Sequence, residues 1–164
     1  MRSPRKSTVA RLARDESGAV LVEMALITPL VILLSAGVFE FSNIIHTKLL
    51  IEAGVIDAAR YIARCSGPNE ATCNSRGSNL AANAAVAGGS ARVEGWLPAD
   101  VAVGYLSVAA VAEDGTRIYR SNTTDVRIVQ VSTTYAYPGT GLWDFLGFGD
   151  LTLTAAHEER VMGW

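Results

Sequence analysis

Cysteine and histidine are scarce in this 164-residue chain, two of each, and that scarcity closes several routes to chemistry. His46 and His157 stand alone and far apart, so neither completes a metal-ligand spacing with Cys65 and Cys73. A phosphate-binding loop is missing: Gly147-Phe148-Gly149 lacks the remaining glycine and the strand-then-helix setting that such a loop needs. No serine occupies a nucleophile-elbow pattern. His157 is followed by Glu158 and Glu159, but on a strand neighbouring side chains point to opposite faces, which leaves one carboxylate on the side of the ring. The expectation is a protein that is not an enzyme and that carries no metal or cofactor. A net charge of only -2 gives no strong pull toward nucleic acid either.

What the chain does have is unevenly placed. Arg2, Arg5, Lys6, Arg11 and Arg14 crowd the first fourteen residues, and no acid precedes Asp15. A long apolar run follows, AVLVEMALITPLVILLSAGVFEF over residues 19–41. As a helix it would be about 34 Å long, enough to cross a hydrocarbon core of about 30 Å. The basic cluster predicts a cytoplasmic N-terminus and an extracytoplasmic remainder. A cleaved secretory signal shares that orientation. Against it stand the length of the run, a glutamate near its start and the lack of a small-x-small site at its end. An inner-membrane anchor is the better reading, and it also accounts for the 49% apolar composition. What remains is enough for one small domain.

Glu23 is out of place in such a run. An unpaired carboxylate in a bilayer costs about 3 kcal/mol, so it calls for a partner or for a depth shallow enough to reach the headgroups. Glu23 is the fifth residue after Gly18. A peptidase cutting after Gly18 at the cytoplasmic face would remove the leader, residues 1–18, and leave a new amino group on Ala19, one helical turn from the carboxylate. The two could then pair within one helix or between neighbouring helices. Basic leader, glycine, four apolar residues, glutamate and a continuing apolar helix together make the prepilin pattern.

Residues 16–64 resemble the TadE-like family, pseudopilins of the tight-adherence (Tad/Flp) pilus machinery. The resemblance lies in Glu16-Ser17-Gly18-Ala19-Val20-Leu21-Val22-Glu23-Met24-Ala25-Leu26, in Pro29, and in Gly37-Val38-Phe39-Glu40-Phe41. Ala53 and Ala58-Ala59-Arg60-Tyr61 continue it, and the C-terminal Leu151–Arg160 is similar to the family's last strand. Met24 departs from the tyrosine that commonly follows the glutamate in Flp-type prepilins. That departure and the chain length imply a minor pseudopilin, not the main pilus subunit. The resemblance implies a structural role in pilus assembly and adherence, with the inner membrane, a prepilin peptidase and other pseudopilins as partners. The competing reading is a membrane-anchored extracytoplasmic binding domain that is never processed.

The helical pattern does not stop with the apolar run. Ile44, Ile51, Val55, Ala58 and Ile62 recur at helical steps, which predicts an extension over residues 42–64 ended by Ser66-Gly67-Pro68. Glu40 would lie near the outer interface, either solvated or bonded to Lys48 or a neighbouring chain; Arg60 is a further candidate for helix-face contacts. Cys65 and Cys73 flank a polar stretch with a Gly-Pro turn. A disulfide suits an oxidising compartment, with unpaired thiols as the alternative.

Residues 65–164 are expected to form an α+β domain. A short alanine-rich helix is predicted over Ser78–Val86, stopped by Gly88-Gly89. Strand-like alternation covers Val101–Val111, Thr116–Arg120, Val126–Tyr137 and Leu151–Val161, with Asp114-Gly115 as a two-residue hairpin signal. This predicts an antiparallel sheet of three or four strands with helices on one face, the pseudopilin-like plan. Between Pro138 and Asp150, Trp143, Phe145, Leu146 and Phe148 stand among glycines. Exposed, Trp143, Phe145 and Phe148 would contact a partner or the membrane surface; folded back, they would be core.

Overall fold

The computed structural model describes residues 17–65, 70–120, 124–139, 141–147, 149 and 151–162. The basic leader up to Glu16, the Ser66-Gly67-Pro68 helix stop, Phe148 and Trp164 lie outside the described residues. Helix α1 runs Ser17–Arg64, and the chain divides into two compact units, Met1–Phe41 and Ser42–Trp164.

In the first unit α1 carries an apolar surface of mean hydropathy 2.3 in its richest window, none of it buried by the chain. It is long and apolar enough to cross a membrane. The hydroxyls in this stretch satisfy themselves. Thr28 Oγ1 donates to the Met24 carbonyl at 2.6 Å and Ser35 Oγ to the Val31 carbonyl at 2.8 Å, so neither needs water. Pro29 lies within the helix without ending it.

In the second unit α1 buries Ile51, Val55, Ala58, Ala59, Ile62 and Ala63, with Ile44 packed against the same cluster. This is the stripe expected from sequence, widened by two alanines. The residues lie at steps of one, three and four, which is one face of a helix. Cys65 N–H bonds back to Tyr61 and Ile62 carbonyls at 3.0 and 3.1 Å as the helix ends.

Helix α2 spans Glu70–Asn83, eight residues earlier in its start than Ser78. Glu70 in its first turn suits the positive end of the helix dipole. Its buried face is made of Cys73, Gly77, Ser78, Ala81 and Ala82. The helix stops before Gly88-Gly89 because Ala84 turns left-handed, at φ 57°. Asn79 holds that turn: its Nδ2 donates to the Ala85 carbonyl at 2.7 Å and to the Gly88 carbonyl at 2.9 Å. Small apolar contacts hide the period, so the sequence signal marked only the alanine-rich end.

Three strands follow: β1 Val101–Ala109, β2 Asp125–Tyr137 and β3 Leu151–Arg160, paired antiparallel in the order β1-β2-β3. Thr116–Arg120 is not among the strands. Gly115, at φ 81°, makes the turn, and Ala112 N–H bonds the Thr116 carbonyl at 2.8 Å. Pairing then ends after the single Val111–Arg117 bridge, because Ile118 and Tyr119 both donate to the Ala110 carbonyl. One face of the sheet presents Val101, Val129, Val131, Tyr135, Leu153 and Ala155 to the helices. The fold is α+β, a long transmembrane-capable helix followed by a small antiparallel sheet.

Trp96 is the largest side chain buried without exposure. It follows Gly95, at φ 79°, and precedes a 3-10 turn at Pro98–Asp100. Its Nε1 donates to Thr133 Oγ1 at 3.0 Å, and that hydroxyl donates to the Asp100 carbonyl at 2.8 Å. The indole thus fills the core and ties the 90–100 segment to β2.

Candidate assembly surface

Gly18 and Ala19 fall in the first turn of α1, and Glu23 lies on the same helix with an exposed side chain. Four residues separate Ala19 from Glu23, about 6 Å along the axis, so an amino group at Ala19 would be within reach of the carboxylate. Around Glu23 the apolar side chains are uncovered: Leu21 is 71% exposed, Met24 60% and Leu26 75%. So continuous an apolar surface is far larger than the patches soluble chains leave open, and it needs lipid or other helices to cover it.

Glu40 differs from Glu23. It is 1% exposed and is the one buried carboxylate among the described residues. The solvated alternative for Glu40 therefore falls. Lys48, offered as its partner, is engaged with Glu52 at 3.1 Å and donates to the Thr154 carbonyl.

Arg60 is exposed on α1 and lines an open groove of about 450 Å³ with Asp57, Tyr61, Arg64, Cys65 and Leu80. Asp57 is held by Arg92, Oδ2 to Nη2 at 2.6 Å. Cys65 and Cys73 form the disulfide that sequence suggested, with Cα atoms 6.0 Å apart. It joins the end of α1 to the first turn of α2, beside this groove.

A polar cluster that sequence reasoning missed fixes the other side of α2. Tyr105 on β1 donates its hydroxyl to Asn74 Oδ1 at 2.7 Å, and the Arg127 guanidinium lies 4.5 Å from the centre of its ring. Arg127 also pairs with Glu70 at 3.1 Å. Burial first, and then the charge of Glu70, pushes the Tyr105 phenol above its usual value, against Arg127 and the Asn74 bond. Burial and then Glu94 raise Tyr135, whose hydroxyl donates to the Glu94 carbonyl at 2.7 Å. No spacing rule links Asn74, Tyr105 and Arg127, which lie on three different elements.

His157 on β3 faces Glu159 at 3.4 Å, the single carboxylate expected on its side. No three or more of His, Cys, Asp and Glu gather into a metal-holding group among the described residues. On the β2–β3 connection Trp143 is half-buried and Phe145 is 79% exposed, so this cluster is neither wholly core nor wholly surface.

Compared with known proteins, residues 18–60 match the model of a family described as TadE-like protein. The match lies wholly within α1 and takes in Gly18, Glu23, Glu40 and Arg60. No curated protein and no solved structure matches the chain.

Proposed function

We propose, from the TadE-like match over residues 18–60, that this chain is a minor pseudopilin, a structural component for assembly of a Tad-type adherence pilus. The observation that carries this reading is Glu23 in an otherwise apolar helix surface, one turn from Ala19. In this reading a prepilin peptidase cuts between Gly18 and Ala19. The new amine then neutralises Glu23, in the same helix or in a neighbour. A buried pair of this kind fixes axial register more than it adds stability. The helix sits in the inner membrane with its N-terminus in the cytoplasm, and the domain from Cys65 onward lies outside. The Cys65–Cys73 disulfide supports that side, since such bonds persist in oxidising compartments.

The test follows one strain. Glu23→Ala should leave the chain in the membrane fraction and abolish pilus formation. The mass of the wild-type mature protein should correspond to a chain beginning at Ala19 with its two thiols joined. Normal piliation in the mutant removes the register role. Retention of Met1 removes the processing step and favours the unprocessed anchored binding domain.

A further inference from the structure

We propose that β1 is a self-pairing edge: the β1 strands of two membrane-anchored copies of this chain lie antiparallel about a two-fold axis at Tyr105, joining two three-stranded sheets into one. The pairing needs α1 only as an anchor, and it holds whether or not the chain is processed or enters a pilus.

The two edges of the sheet are treated differently. In β3, Val161 N–H donates to the Arg127 carbonyl at 2.9 Å in the register of the β2–β3 pair, so the odd-numbered residues of β3 bond β2 and the even-numbered ones face away. That outer edge is covered by α1: Lys48 donates to the Thr154 carbonyl, and Met162 N–H bonds the Ala63 carbonyl at 2.9 Å. In β1, Ala110 N–H donates to the Thr124 carbonyl at 2.7 Å in the register of the β1–β2 pair, so the even-numbered residues bond β2. The main-chain groups of Val103, Tyr105 and Ser107 therefore face outward, and none of them is bonded on that side among the described residues. Gly104, Leu106, Ser107, Val108 and Ala109 are all exposed, and a Cβ on Gly104 would meet nothing within 4 Å.

This open edge also lacks the usual guards. Val101–Ala109 has no charged residue and no proline, the two devices that keep edge strands apart. A two-fold axis sets each charge near its own copy, so an uncharged strand is the kind that tolerates itself as a partner. Tyr105 is the middle residue of the nine, so pairing about it uses the whole strand. It sets the outward-facing groups of Val103 opposite those of Ser107 and those of Tyr105 opposite their own copies. On the sheet face away from the helices it lays Leu106, 47% exposed, over Gly104 of the second copy, and Val108, 39% exposed, over Ala102. Two edges of nine residues make an interface in the weak class, below about 1,200 Å². Dilute soluble domains would thus stay single, whereas copies confined to one membrane meet at a far higher effective concentration.

The test uses full-length chains in the membranes of a host that makes no pilus. Chains carrying Ala102→Cys and chains carrying Val108→Cys are produced together or separately and then oxidised. The native cysteines are already joined to each other. Across the two-fold, residues 102 and 108 face each other with Cα atoms about 4.5 Å apart, within reach of a disulfide. Like positions lie about 20 Å apart, six residues along the strand. Disulfide-linked dimers should therefore form from the mixture and from neither variant alone. Ser107→Pro removes an N–H that β2 does not use, and Gly104→Lys with Leu106→Lys sets like charges opposite each other. Either change, made in both chains, should abolish the dimer while the far-ultraviolet dichroism of the purified protein stays as in wild type. No dimer from the mixture, dimers as readily from one variant alone, or dimers that survive both edge changes would each overturn the pairing. Dimers that form only when other pilus proteins are added mean that another chain organises the contact, and also overturn it. Chains missing from the membrane fraction overturn the anchor, and with it the confinement on which the pairing depends. None of these outcomes bears on Glu23 or on cleavage after Gly18.

Discussion

Single atoms decide how closely α1 and α2 approach. A Cβ on Gly54 would lie 2.5 Å from the Ala81 carbonyl oxygen and 2.8 Å from a ring carbon of Trp96. Both are fixed, one in the backbone of α2 and the other in a fully buried indole. A Cβ on Gly77 would meet Ile62 Cδ1 and Cγ1, each at 2.5 Å, but those atoms belong to a side chain that can change rotamer. Alanine gains about 1 kcal/mol over glycine in a helix, whereas overpacking costs about 1–3 kcal/mol. Gly54→Ala should therefore destabilise the domain by about 1–2 kcal/mol and Gly77→Ala should stay within about 0.5 kcal/mol of wild type. Chemical denaturation of the two variants checks this, and equal losses would refute the distinction between rigid and movable neighbours. Tyr105 sets a second residue-scale expectation. Its folded pKa lies above the ordinary 10.0, so the folded state holds the phenol proton more tightly than the unfolded state. The associated stability is complete below pH 10 and is lost as pH climbs through the raised value. Denaturation midpoints of wild type and Tyr105→Phe should keep a constant separation at neutral pH. They should converge above pH 10, with Tyr135 acting equally in both. A separation that widened there would reverse the sign.

At the scale of elements, the disulfide takes the place of a longer interface. α1 ends at Arg64 and α2 begins at Glu70, and Cys65 and Cys73 clamp the corner between them. Closing so short a loop is worth about 2–3 kcal/mol on the chain-entropy account. For a domain of this size that amounts to a drop of about 8–12 °C in melting temperature when Cys65→Ser and Cys73→Ser are combined. Thermal melts of the double variant against the oxidised protein measure it; a shift of a degree or two would show that packing alone holds the corner. The corner also shows where sequence was readable. α1, β2 and β3 announced themselves because Ile51, Val55 and Ile62 repeat at helical steps and Val129, Val131, Tyr135 and Leu153 alternate. The start of α2 did not, because its buried face is Gly77, Ser78, Ala81 and Ala82, side chains too small to print a period. The predicted strand at Thr116–Arg120 failed for a related reason. Its β-branched and aromatic residues have the right propensity, but Ile118 and Tyr119 spend their amides on one carbonyl. Of the candidate surface, the Cys65–Cys73 pair was legible from local spacing. Trp96 and the Tyr105 cluster were not, because their partners are brought together only by the fold.

For the molecule as a whole, the two units differ in what they need from outside. The residues of the hydrophobic core, from Ile51 to Ala155, all belong to the unit Ser42–Trp164, while the apolar side chains of residues 20–34 are exposed. A fragment beginning at Ser42 therefore keeps its core, its disulfide and its sheet, and loses the surface that demands lipid or other helices. Such a fragment should be soluble and monomeric and should unfold cooperatively in the manner of a small domain. Its amide protection should be highest in the second half of α1 and in β2, the element paired on both sides. Expressed where disulfides form, it should melt in one transition seen equally by far-ultraviolet dichroism and by Trp96 fluorescence. Two separated transitions, or a fragment that stays unfolded until the first unit is restored, would mean that the first unit is part of the folding nucleus. With one transition, assembly defects from Glu23→Ala cannot be laid to a misfolded domain, because the domain then folds without the helix segment that carries the mutation.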